Sequence, residues 1–126
     1  MKETPVQTQT SRQTVLEIAG LLENAKATDI VVLDMRELTG ISDYFVICTV
    51  NSTVQSRAIV RDLDVFMHAH DLKPISGRVS ADSPWVLLDY NYFIIHIFLE
   101  EGRRYYQLEK LWSDAKVVYT NRGGIL

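Results

Sequence analysis

The side chains in this sequence that could do chemistry are few, and most are poorly spaced for it. Asp62-Leu63-Asp64 has the letters of a carboxylate pair that holds divalent metals against a triphosphate, as in nucleotidyl transfer. The triplet lies inside a predicted helix, however, where residues two apart diverge by about 200°, whereas a metal-holding pair alternates along one face of a strand. Asp34 and Asp89, each at a strand end, are the remaining candidate ligands, although aspartate at a strand end commonly forms turns. His68 and His70 point to nearly opposite sides of the same helix, with no cysteine or third histidine near them in sequence, so they read as solvated surface residues. Ser83, Asp89 and His96 contain the letters of a triad without a nucleophile elbow. Gly20, Gly40, Gly77 and Gly102 are isolated, and Gly123-Gly124 lies at the end of the chain, so no phosphate-cradling loop is present. These patterns predict no catalytic residue, no metal and no cofactor.

The elements that would position these residues follow from hydrophobic periodicity. Thr10 and Gln13 read as a capping box, and Val15, Ile18, Ala19, Leu22 and Ala25 recur at helical spacing behind it. Two short β-branched runs follow, 29–34 and 44–49, and the link of about ten residues between them is too short for a helical crossover, which predicts antiparallel neighbours. Ser52 and Gln55 form a second capping box before a helix carrying Ile59, Leu63, Phe66 and Met67 and ending ahead of Pro74. A weak strand is expected over Leu72–Gly77, parallel to the strand before the helix. Trp85–Tyr90 and Phe93–Leu99 read as a hairpin turned at Asn91-Tyr92, and Glu100 and Glu101 open a last helix whose stripe is Tyr105, Leu108, Leu111 and Trp112. Tyr105 and Trp112 are expected in the core. The order α-β-β-α-β-β-β-α describes an α/β (α+β) protein, a mixed sheet with helices packed on it.

The 126 residues leave room for one domain, expected over residues 10–118 with flexible tails at 1–9 and 119–126. Residues 47% hydrophobic and 23% charged are the balance of a packed globular chain. The lone Cys48 permits no internal disulfide, and Met1–Thr10 has neither a secretory nor a transit pattern, so a reducing cytoplasm is expected. The apolar runs are far shorter than the ~20 residues of a membrane span. Thirteen basic residues against sixteen acidic ones leave a charge of −3, and no basic cluster beyond Arg103-Arg104 is present to displace counterions from phosphates. Direct nucleic-acid binding is therefore disfavoured, and a basic protein is the partner that charge would steer toward this chain.

Six segments, in order, carry a resemblance. They are Asp29-Ile-Val-Val-Leu-Asp-Met-Arg-Glu-Leu, Ile41-Ser-Asp-Tyr-Phe-Val-Ile-Cys-Thr, Ser52-Thr-Val-Gln-Ser-Arg-Ala, Trp85-Val-Leu-Leu-Asp-Tyr, Ile95-His-Ile-Phe and Tyr106-Gln-Leu-Glu-Lys-Leu-Trp. Together they cover nearly all of Ala27–Ala115 and resemble the ribosomal silencing factor family, also called Iojap-like proteins. The resemblance implies a nucleotidyltransferase-like fold without its catalytic carboxylates. It also implies binding to a large-subunit ribosomal protein at the intersubunit face, which blocks subunit joining and lowers translation. Carried over residue by residue, the binding surface would comprise Trp85, Leu88, Asp89, Tyr90, His96 and Phe98 on the hairpin. Trp85 is expected as the interface anchor, and His96 as either a half-buried histidine or a contact. The chain departs from the family pattern at Val50-Asn51, at 78–84 and at the Asn91-Tyr92 turn, which touches loop contacts and not the fold. Two other readings compete: a minimal nucleotidyltransferase using Asp34 or Asp89, and a homodimeric scaffold, with a homodimer of the free protein left open.

Overall fold

A computed structural model describes residues 4–38, 40, 42–75 and 80–121. Its elements run α1 (Thr4–Asn24), β1 (Thr28–Asp34), β2 (Tyr44–Val50), α2 (Thr53–Ala69), β3 (Trp85–Asp89), β4 (Phe93–Leu99), α3 (Glu100–Tyr106), α4 (Leu108–Leu111) and β5 (Lys116–Thr120). The five strands form one mixed sheet in the order β3-β4-β2-β1-β5. β2 and β4 are parallel, and the other three pairings are antiparallel. The mixed sheet, the β1–β2 pairing and the β3–β4 hairpin agree with the periodicity.

The helix stripes are also where spacing puts them. Val15, Ile18, Ala19 and Leu22 of α1 and Ile59, Leu63 and Met67 of α2 are buried against one face of the sheet. Ser52 caps α2, its Oγ accepting from Gln55 N–H at 3.1 Å, while Gln55 Oε1 accepts from Asn51 N–H at 2.7 Å. This is a capping box displaced by one residue, because the return bond lands on Asn51 and not on the cap itself. The hairpin turns at Asn91, whose φ of 77° places it in the left-handed region that asparagine tolerates better than most residues.

Five expectations are corrected. The first helix begins at Thr4, so Thr10 lies within it and does not cap it. The strand expected over Leu72–Gly77 is not formed by its described part: Leu72–Ile75 is not strand, Ser76 and Gly77 lie outside the described residues, and Ile75 N–H donates to the Asp89 carbonyl of the sheet edge (2.7 Å). Its place is taken by β5, which pairs with β1 at the opposite edge and makes sheet residues of Tyr119 and Thr120, expected in a tail. The last helix is two short ones, broken where Gln107 adopts φ 47° and ψ 51°. That break turns Tyr105 outward, 80% exposed, and leaves Leu111 exposed as well, while Trp112 packs on the sheet as expected.

Side chains alternate across the sheet and so make two cores. Val86, Leu88, Tyr44, Val46, Cys48, Ile95 and Ile97 face α1 and α2. Val31, Leu33, Phe45, Ile47, Ile94 and Phe98 face the other way, where Leu108 of α4 and Trp112 and Ala115 of the link from α4 to β5 cover them in part. Arg103 fastens that cover. Buried on α3, it donates from Nε to Glu109 Oε1 (3.0 Å) and from Nη2 to Glu109 Oε2 (2.5 Å). It also donates from Nη1 to Thr49 Oγ1 (2.7 Å) and from Nη2 to the Asp29 carbonyl (2.9 Å). The Asp29 carbonyl is available because a register shift between Thr28 and Val31, with Asp29 at φ 49°, disrupts the β1–β2 ladder there.

Candidate functional site

β3 is the edge strand next to β4, and its alternation divides the residues of interest. Trp85, Leu87 and Asp89 stand opposite Phe98, His96 and Ile94 on the α3–α4 face, while Val86 and Leu88 stand opposite Ile97 and Ile95 on the α1–α2 face. The six hairpin residues named from sequence are therefore not one surface. Leu88 and Tyr90 are buried in the core beneath α2, and a partner on the Trp85 side does not reach them. His96 and Phe98 lie on the Trp85 side but are covered, at 2% and 0% exposure. Trp85 and Asp89 are half-buried.

Two residues the hairpin assignment omitted complete the exposed surface. Leu87, between Trp85 and Asp89, is 41% exposed, and Tyr106 of α3 is 46% exposed with its ring 4.6 Å from that of Trp85. The signal for Leu87 was present in the sequence as the i, i+2 rhythm Trp85, Leu87, Asp89. The indole of Trp85 also stacks on Phe98 at 5.3 Å, so an aromatic layer lies under the surface.

His96 organises that layer. Its Nδ1 accepts a hydrogen bond from Trp85 Nε1–H at 3.0 Å, which assigns its proton to Nε2. The Nε2 atom is buried and has no hydrogen-bond partner among the described residues, while the ring meets Phe45 edge to face at 4.6 Å. Burial pushes the His96 pKa from 6.5 down to about 3, so the ring is neutral at physiological pH and serves as an acceptor for Trp85.

The candidate catalytic groups are each placed apart or engaged. Asp62 and Asp64 line different hollows, one between α1 and α2 and one between α2 and β3. Asp34 accepts from Arg36 Nε and Nη2 at 2.9 and 2.7 Å, and this guanidinium holds its carboxyl below the usual carboxylate range. Asp89 accepts from Asn91 N–H at 2.9 Å and so stabilises the hairpin turn. His70 stacks on Phe66 and its Nδ1 lies 2.9 Å from the Phe66 carbonyl, and His68 is exposed. Ser83 Oγ is occupied by the backbone of Trp85, and His96 Nδ1 by the indole of Trp85, so no triad forms. Among the described residues no group of three His, Cys, Asp or Glu side chains is placed to hold a metal ion, and no helix is long and apolar enough to cross a membrane.

Comparison with known proteins places this architecture in a family. Residues 8–123 match the family described as "Ribosomal silencing factor during starvation". The ribosomal silencing factor of Halalkalibacterium halodurans is 36% identical over 111 residues, covering 86% of this chain and 93% of that one. The mouse protein named "Mitochondrial assembly of ribosomal large subunit protein 1" is 36% identical over 103 residues, 76% of this chain and 43% of its own length. A crystal structure of a Chromobacterium violaceum protein superposes with a TM-score of 0.71 at 27% identity, covering 80% of this chain and 85% of that chain. The chain belongs to the ribosomal silencing factor family.

Proposed function

We propose that this chain, as a member of the ribosomal silencing factor family, represses translation by binding a large-subunit ribosomal protein at the intersubunit face and blocking subunit joining. The observation that carries the reading is the strip Trp85–Leu87–Tyr106: two exposed apolar side chains and a half-buried indole, contiguous on one face and backed by packed aromatic rings. Large apolar side chains grouped at a surface mark interaction sites, and tryptophan and tyrosine are the residues that most often anchor them. Family membership makes the ribosome the target, and the name of the mouse relative directs attention to the large subunit. A net charge of −3 suits a basic ribosomal protein better than ribosomal RNA.

The action is one of occupancy and not of catalysis. The acidic side chains that a nucleotidyl transfer would need are paired with Arg36, committed to a turn, or set on separate flanks of α2. The test is a density gradient in which purified large and small subunits associate with and without saturating protein. A smaller joined-ribosome peak supports the proposal, and an unchanged profile refutes it.

A further inference from the structure

Beside Trp85 lies a recess of about 260 Å³ lined by Pro84, Glu101, Gly102, Tyr105 and Tyr106. Its floor is a close approach of two elements: a Cβ on Gly102 would sit 2.5 Å from the Pro84 carbonyl oxygen, so α3 rests directly on the start of β3 only because residue 102 has no side chain. Tyr105 and Tyr106 stand perpendicular, at 88° with centroids 4.9 Å apart, and both are exposed. Glu101 is the acidic residue among those that line the recess. The neighbouring arginines are directed elsewhere: Arg104 pairs with Glu100 at 3.3 Å, and Arg103 is buried with Glu109.

We propose that this recess is a socket for one lysine or arginine side chain of a basic partner protein. The proposal rests on the docking function above and adds to it the chemistry of one contact. Aromatic faces attract cations through their quadrupole, and a carboxylate in the same recess completes the recognition with a charge-assisted hydrogen bond. An apolar anchor would strip water from Glu101 without replacing it, which is unfavourable. A phosphate of nucleic acid would be repelled by the same carboxylate.

The direct experiment titrates the protein with Nα-acetyl-argininamide, Nα-acetyl-lysinamide and the neutral Nα-acetyl-norleucinamide while the ring resonances of Tyr105 and Tyr106 are followed by NMR. Shifts with the cationic compounds alone, abolished in Glu101→Gln, are expected. Equal shifts with all three, or none, overturn the socket. Binding to isolated large subunits provides the second readout. Glu101→Gln and Tyr105→Ala, both at exposed positions, should each weaken it by roughly fivefold at low salt, and by less as salt rises. Wild-type binding that neither variant changes also overturns the socket. If the wild type does not bind large subunits at all, the docking function fails, and the socket then stands or falls on the titration alone.

Discussion

Trp85 and His96 are diagonal neighbours across the β3–β4 hairpin, joined by a hydrogen bond from the indole Nε1–H to the imidazole Nδ1. The bond requires the imidazole to be neutral, since a protonated ring has no acceptor to offer. Burial secures this by pushing the His96 pKa down to about 3. In the unfolded chain the ring titrates near its ordinary 6.5. A folded pKa below the unfolded one means that the stability this site contributes is complete above about pH 6.5. It is lost progressively as pH falls toward 3, because there the unfolded state binds the extra proton.

Thermal unfolding between pH 7 and pH 5 should therefore show wild-type stability declining by ~1–2 kcal/mol, since each unit below the unfolded pKa is worth about 1.4 kcal/mol. His96→Leu should be less stable at pH 7 but nearly flat across that range. Asp34 does not confuse the comparison: its lowered pKa makes its own contribution fall away at more acidic pH. Parallel slopes for the two proteins would show that His96 is not held neutral by burial.

The Arg103 clip gives a second expectation. Arg103→Leu removes the bidentate hydrogen bonds to Glu109 and the hydrogen bonds to Thr49 Oγ1 and the Asp29 carbonyl, close to the core. Removing one member of a buried pair costs ~3–5 kcal/mol, enough to lower the melting temperature by roughly 10–20 °C. Arg103→Lys keeps the charge but not the fork and should fall between. A loss below about 1 kcal/mol for Arg103→Leu would place the α3–α4 segment outside the cooperative fold.

Gly102→Ala tests the contact between α3 and β3. The added methyl would lie 2.5 Å from the Pro84 oxygen and 3.3 Å from a ring carbon of Phe98, so backbone must move. A cost of ~1–3 kcal/mol is expected from such overpacking, together with changed ring resonances for Tyr106 and Trp85, which α3 would carry apart. An unperturbed spectrum would mean that the helix does not set the position of Tyr106.

Much of this fold is legible in the sequence alone. The stripes of α1 and α2, the Ser52 cap, the Asn91 turn and the antiparallel β1–β2 pair each have a local cause written in a few adjacent residues. The misreadings share a different origin. β5 is five residues long, at the sheet edge and with no residue fully buried, so Lys116-Val-Val-Tyr-Thr carries too weak an apolar alternation to announce a strand. The break at Gln107 has no local signal, because glutamine is not a residue that favours left-handed backbone. What accompanies it is tertiary: Arg103 on one side of the break grips Glu109 on the other. At the site, a list of hairpin residues joined Leu88 and Tyr90 to Trp85, whereas alternation separates them by the thickness of the sheet and selects Leu87 in their place.

If the Trp85–Leu87–Tyr106 strip docks on the large subunit as proposed, Leu87→Glu should reveal it in co-sedimentation with isolated ribosomal subunits. Leu87 is exposed, so a charge there should leave the folding stability within about 1 kcal/mol of wild type, while placing an unpaired carboxylate in the centre of the docked face. Wild-type protein is expected to pellet with large subunits and not with small ones, and Leu87→Glu to bind at least about thirtyfold more weakly, the loss typical of an interface anchor. Undiminished pelleting of a folded Leu87→Glu, or equal recovery of the wild type with both subunits, would contradict the claim.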